Sequence, residues 1–218
     1  MANAVVDVLT RAEVDFGILG SREKCCGYIP WMVGDRELYK DCMATNIQLF
    51  NELGIRRLIT LCPECLATFK SYPQEEMNFE IVHSVQYVDQ LLKEGKLKPS
   101  REMRAVVTYH DPCNLGRGSR VFVPPRDIIK SIPGIQFVEM SRHGRWSYCC
   151  GRGGGVAYAF PDYAKSTAEQ RIREAVNTGA EVIITACPQC YIALQGAAAS
   201  HGGIRVEDIL ILLSRSLS

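Results

Sequence analysis

The chain has 218 residues, 47% of them hydrophobic, which is enough to bury a substantial core in one or two domains. With 25 basic and 24 acidic residues its formal charge is +1, so there is no electrostatic reason to expect a nucleic acid or other polyanion as partner. No apolar run approaches the ~18 residues of a membrane span, and the opening residues lack the features of a secretory signal, so the expectation is a cytosolic protein.

In chain order, Val14 to Leu19 (VDFGIL) reads as a buried strand, followed by Cys25, Cys26 and Gly27. Arg36 to Leu53 has helical period and stops at Gly54, a residue able to take positive φ, before a strand from Arg57 to Leu61. That strand runs into Cys62-Pro63-Glu64-Cys65, where proline suits the first helical position because its missing N–H has no partner there. The strand-like EIVHS carries His83. From Glu94 to Arg104 the chain is polar, charged and contains Pro99, marking a boundary between a first repeat over residues 1–98 and a second over 99–218.

Ala105 to Tyr109 is the next strand, and it ends in HDPC. Cys113 is therefore presented from the loop at the strand's carboxyl end, where open α/β sheets place their ligands. Gln136 to Met140 is strand-like and leads to Cys149, Cys150 and Gly151. A helix over Asp162 to Asn177 stops at Gly179, and the strand Glu181 to Ala186 enters Cys187-Pro188-Gln189-Cys190. The C-terminal VEDILILLSRSL most simply forms an amphipathic closing helix. The order of cysteine pair, helix, glycine, strand and CPxC occurs in both halves, so the chain is an internal duplication. Alternating helices and apolar strands predict an α/β fold of two duplicated halves, each a mainly parallel sheet flanked by helices.

In a reducing compartment the 10 cysteines point to metal ligation rather than a disulfide scaffold. Between Cys26 and Cys62 lie 35 residues, between Cys150 and Cys187 lie 36, and between Cys113 and Cys149 lie 35. A CPxC turn offers two thiolates at a helix N-terminus, whose partial positive charge favours them by roughly 0.3–1 kcal/mol per charge if exposed and lowers the thiol pKa. Adjacent cysteines cannot both face one ion from a regular strand, because successive side chains alternate faces. Gly27 and Gly151 supply the bend and let the backbone approach a bulky cofactor. Cys113, Cys149, Cys150, Cys187 and Cys190 exceed the four ligands of tetrahedral zinc, which favours a multi-iron cluster in the second half. Cys25, Cys26, Cys62 and Cys65 leave zinc or a simple cubane cluster open in the first, where the duplication argues for iron and sulfur.

Other residues carry weaker signals. Cys42 lies in a helical stretch and reads as packing, the alternative being a replacement fifth ligand for the first site, which requires the helix to bend toward it. His110 and Asp111 precede Cys113, and His110 could donate a proton or a hydrogen bond to cluster sulfur or to substrate, or simply satisfy backbone groups. His83 is placed similarly and leans to a structural role; His143 and His201 read as loop residues. The GRGGG run from Gly151 to Gly155 lacks G-x-G-x-x-G and a P-loop lysine, so close packing against a cluster explains it better than phosphate binding. Arg117, Arg120 and Arg152 suit either an anionic substrate or cluster, or a solvated surface.

The stretches DFGILGSREKCCG, YHDPCNLGR, PGIQFVEM, CCGRGGG and TGAEVIITACPQC resemble the cysteine-rich CCG domain family of heterodisulfide reductases over nearly the whole chain, especially the branch of the catalytic iron–sulfur subunit of the membrane-linked enzyme. The resemblance implies a noncubane 4Fe-4S cluster held by Cys113, Cys149, Cys150, Cys187 and Cys190. A second cluster would sit at Cys25, Cys26, Cys62 and Cys65, with its fifth thiolate outside this sequence. It also implies that MANAVVDVLTRAEVDFGILG is the interior of the family's first helix and strand, so a truncated or mis-assigned start is expected, with room upstream for a ferredoxin-like domain.

The implied function is an iron–sulfur subunit of a heterodisulfide reductase-like oxidoreductase that delivers electrons to a small disulfide or related acceptor. Its implied partners are ferredoxin-like, flavin or membrane cytochrome subunits, which would hold it at the periphery of a membrane. Two other functions compete: an electron relay without a substrate of its own, serving a flavin dehydrogenase or quinone-linked complex, and a zinc-stabilised interaction module. Access separates the first two, since a pocket open beside Cys113 favours disulfide chemistry and a buried cluster favours the relay.

Overall fold

Most of the apolar runs between the helices become short strands, each followed by a helix. The computed structural model describes residues 1–200 and 203–217; His201, read as a loop residue, lies outside them. In chain order the elements are α1 (Ala2–Arg11), α2 (Tyr28–Val33), α3 (Arg36–Glu52), β1 (Arg57–Thr60), α4 (Pro63–Lys70), β2 (Glu80–His83) and α5 (Ser84–Lys93). There follow β3 (Ala105–His110), α6 (Val123–Ser131), β4 (Ile135–Phe137), α7 (Val156–Ala159), α8 (Pro161–Val176), β5 (Val182–Thr185), α9 (Pro188–Ala198), β6 (Arg205–Asp208) and α10 (Ile209–Ser216).

β1 and β2 pair in parallel, from Arg57 opposite Glu80 to Thr60 opposite His83. The second sheet has the order β4-β3-β5-β6 and is parallel throughout. The run α3-β1-α4-β2-α5 is thus repeated as α8-β5-α9-β6-α10, and the α/β class with parallel sheets flanked by helices is what the sequence predicts. Gly54 and Gly179 close the matching helices with φ of 59° and 76°, values open to glycine at little cost. Matching side chains also start the matching last helices. His83 Nδ1 accepts from Val85 N at 3.3 Å, and Asp208 Oδ1 accepts from Leu210 N at 3.0 Å.

One apolar core joins the halves. α1 packs on α10 and α5 packs on α6, so Val8, Val85, Val88, Ile128 and Leu213 are buried together. The polar stretch around Pro99 is tied down as well: Ser100 N and Arg101 N both donate to Ser216 O at 3.0 Å. No helix among the described residues is long and apolar enough to cross a membrane.

Two expectations fail for identifiable reasons. Val14 to Leu19 is not a strand, although Val14, Phe16 and Leu19 still pack against the core. In the second half the equivalent strand, β4, is held by β3 alone, and the first half of this chain has no counterpart of β3 to pair with. The C-terminal VEDILILLSRSL is not all helix either. Its first residues complete β6 against β5, and the helix begins only at Ile209.

Candidate metal centre

Parallel pairing of β3 with β5 points both strands' carboxyl ends the same way, and the second-half cysteines gather there. β3 leads into Cys113 and β5 into Cys187 and Cys190, while Cys149 and Cys150 come from the long loop after β4. Each thiol perturbs the next, Cys113 with Cys149, Cys149 with Cys150, Cys150 with Cys190 and Cys190 with Cys187, so the five lie in one neighbouring set. Cys150, Cys187 and Cys190 are buried, whereas Cys113 and Cys149 are half-buried on the rim.

The thiols share protons unequally. Hydrogen bonds from Cys113 and Cys150 push Cys149 down to about 2, and the same contacts push Cys113 up and Cys150 up to about 12. Cys190 is driven up by Cys150, Cys187 and burial. The thiols therefore ionise as a coupled set, and a bound cation would displace the protons they retain.

The first half repeats the arrangement. Cys26 is lowered to about 7, chiefly by Cys65, and Cys65 is raised by Cys26 and then Cys62. Cys42, on α3, lies near enough to Cys25 for the two thiols to act on each other. Burial and then Cys25 raise its pKa.

Local backbone geometry explains how adjacent cysteines serve one site. Gly27 and Gly151 take φ of 81° and 82°, and in each turn the glycine N–H donates to the first cysteine of the pair, Cys25 or Cys149, at 3.4 Å. A Cβ on Gly151 would lie 2.7 Å from Ala164 O and 2.8 Å from Thr167 Cβ, and one on Gly27 would lie 2.9 Å from the Tyr39 ring. At the other wall Pro63 and Pro188 open α4 and α9 as expected, and Cys190 N donates to Cys187 Sγ at 3.5 Å.

His110 is wholly buried, and a ring nitrogen lies within 4.8 Å of Cys150 Sγ and Cys190 Sγ. Its Nδ1 accepts from Arg171 Nε at 3.1 Å. Arginine has no acceptor, so the neutral imidazole must carry its hydrogen on Nε2, and Nε2 has no hydrogen-bond partner among the described residues. Burial, and then the Arg171 charge, hold His110 well below the usual imidazole range.

Asp111 is equally enclosed. It takes a bidentate pair from Arg126 at 2.8 and 2.9 Å and a third bond from Gly144 N at 2.8 Å, which pins the loop carrying Cys149. His83 proves structural, since both ring nitrogens engage backbone at Val85 N and Leu61 O. Arg117 donates to Ser147 O and Arg152 to Gln189 Oε1, one bond each, which leaves further N–H groups on both.

Sequence reasoning missed Arg171 and Glu64. Arg171 occupies a helix position that reads as polar surface, yet it is fully buried, donating also to Arg142 O, Glu174 and Ser147 Oγ. Glu64 stands in the sequence only as the variable residue of CPEC. Its Oε2 accepts from Cys62 Sγ at 2.7 Å and lies 3.7 Å from Cys187 Sγ in the other half.

The donors fit an iron–sulfur group: soft sulfur ligands, more of them than a tetrahedral ion takes, and beside Cys150 and Cys190 a buried histidine whose Nε2 has no hydrogen-bond partner among the described residues. The family described as a cysteine-rich domain, CCG, matches residues 1–70 and 107–195. The chain belongs to the CCG family. Among its CCG relatives, a subunit of the dihydromethanophenazine:CoB–CoM heterodisulfide reductase of Methanosarcina acetivorans is 36% identical across 100% of this chain and 55% of its own length. The EtfAB:quinone oxidoreductase of Syntrophomonas wolfei is 32% identical across 100% of this chain and 32% of its own. A subunit of the fumarate reductase (CoM/CoB) of Methanothermobacter marburgensis is 34% identical across 89% of this chain and 39% of its own. This chain therefore spans about half the length of the first relative and about a third of the others.

Proposed function

We propose that this protein is an iron–sulfur subunit of a heterodisulfide reductase-like oxidoreductase, built of repeats over residues 1–98 and 99–218, which passes electrons to a disulfide or related acceptor. The observation that carries the reading is the neighbouring set of Cys113, Cys149, Cys150, Cys187 and Cys190, with buried His110 beside Cys150 and Cys190. These cysteines would hold a noncubane 4Fe-4S cluster, which supplies electron storage and transfer. Cys25, Cys26, Cys62 and Cys65 would hold a second.

The remaining work belongs to the protein. Gly151 lets the turn of the cysteine pair close on the α8 backbone, Asp111 and Arg126 hold the loop that delivers Cys149, and His110 donates its N–H toward sulfur at the inner wall. Half-buried Cys113 and Cys149 form the side an acceptor would approach, which favours acceptor chemistry over a sealed relay. Redox partners of the ferredoxin, flavin or membrane cytochrome type would supply the electrons, and docking to them would bring the chain to a membrane surface.

Anaerobic purification with iron and sulfide analysis, followed by electron paramagnetic resonance, tests the assignment. Reducible iron with acid-labile sulfide supports it; a colourless zinc protein contradicts it. Oxidation of the reduced protein by a small disulfide separates the acceptor role from a relay role, in which the disulfide leaves the reduced signal unchanged.

A further inference from the structure

Glu64 lies at the seam between the cysteine sets. One oxygen, Oε2, is 2.7 Å from Cys62 Sγ and 3.7 Å from Cys187 Sγ, so the sulfurs of the two sets are no further apart than those contacts laid end to end. The residue is only 6% exposed, and the hydrogen-bond partners of its carboxyl group among the described residues are these thiols. A buried carboxyl group without a cation is costly to hold, and nothing in the helix itself demands it at this position.

The duplication makes the placement informative. Gln189 is the matching residue of the second CPxC turn, and it is neutral and bonded to Arg152 Nε at 2.7 Å. The seam is therefore asymmetric: a carboxyl group comes from the first half, and the second half contributes none in its place. Electrostatic effects fall off with distance and strengthen in a buried site, so a group touching one ligand sulfur of each set acts on both at short range. Polar groups beside ligand sulfurs are among the factors that set an iron–sulfur potential.

We propose that Glu64 is a tuning residue shared by both metal centres, so that its side chain sets the two reduction potentials together and couples a charge change at one to the other. The proposal rests on the reading that each cysteine set holds an iron–sulfur cofactor.

The test uses the anaerobically purified holoprotein and its Glu64→Leu variant in a redox titration followed by electron paramagnetic resonance, with each signal assigned through Cys26→Ser and Cys150→Ser. Both midpoint potentials shift in Glu64→Leu if the proposal holds. A shift confined to the first-half signal, or no shift in either, overturns it. Should Glu64→Leu not fold, Glu64→Gln keeps the shape while removing the carboxylate, and the same outcomes decide. A wild-type protein whose iron and sulfide account for a single cofactor instead overturns the two-centre reading underneath, and that result is visible before any variant is made.

Discussion

Arg171 Nε donates to His110 Nδ1 at 3.1 Å, and this contact decides which way the buried imidazole faces its hydrogen. With Nδ1 occupied by a group that can only donate, Nε2 is a donor and cannot serve as a neutral nitrogen ligand. His110 is in this way made a hydrogen-bond donor beside Cys150 and Cys190 rather than a further candidate ligand.

A donor facing a cluster sulfur stabilises the reduced, more negative form. His110→Leu should therefore lower the midpoint potential of the second-half cofactor, by about 40 mV if one net hydrogen bond of about 1 kcal/mol is lost to a one-electron couple. His110→Gln, which restores an N–H, should recover part of the shift. Adding Arg171→Met to His110→Leu should move the potential no further; an additional shift of equal size would mean that Arg171 acts independently of the imidazole.

Gly151 and Gly27 have the same backbone conformation but different neighbours. Gly151→Ala must push against the Ala164 carbonyl, part of a helix backbone, whereas Gly27→Ala meets the Tyr39 ring, which can turn. Positive φ alone costs about 1–3 kcal/mol for a residue with a Cβ. Urea denaturation should show the larger loss for Gly151→Ala, together with less iron bound per chain. Equal losses would show that φ strain alone governs both sites.

The strands and motifs that can be read in the sequence are those specified locally. Val182 to Thr185 is apolar and β-branched, and the CPxC turns carry their own helix start in Pro63 and Pro188. Val14 to Leu19 has the same local signature, but a strand also needs a neighbour, which the residues themselves do not encode. Residues 206–208 look like the beginning of an amphipathic helix, and β5 claims them for the sheet. Arg171 has the pattern of a surface residue and is buried because Arg142 and Ser147, from the loop after β4, fold over it. Glu64 has the look of a spacer because its second contact, Cys187, lies in the other half of the chain.

Burial holds His83 down to about 4, against a backbone hydrogen bond to Leu61 that acts the other way. Unfolded, the imidazole titrates at its ordinary 6.5, so below that pH the unfolded chain takes up a proton that the folded chain refuses. Its stabilising contribution is complete above pH 6.5 and is lost as pH falls toward 4. Asp208 runs in the opposite sense. Burial raises it to about 6 from 3.8, so its contribution is full below 3.8 and disappears as pH rises through 6. In the metal-free protein His83→Asn, which keeps a cap acceptor, should reduce the stability lost between pH 7 and 4.5 by on the order of 2–3 kcal/mol. Unchanged pH dependence in urea titrations would contradict the assignment.

Arg126 neutralises Asp111 and also holds Glu139 at 2.6 Å. Arg126→Leu strands a carboxylate that is only 2% exposed, and breaking a buried pair in this way costs about 3–5 kcal/mol. The midpoint of thermal unfolding should fall accordingly, and Asp111→Asn in the same chain should restore part of it. No recovery would place the loss in packing rather than charge.

The most direct test of the five-sulfur centre is the iron, sulfide and electron paramagnetic resonance spectrum of anaerobically prepared Cys113→Ser and Cys150→Ser. Each substitution should abolish the second-half signal and its share of the iron while leaving the first-half signal in place. A Cys113→Ser protein with the iron content and spectrum of the wild type would contradict the account, because Cys113 would then stand outside the centre.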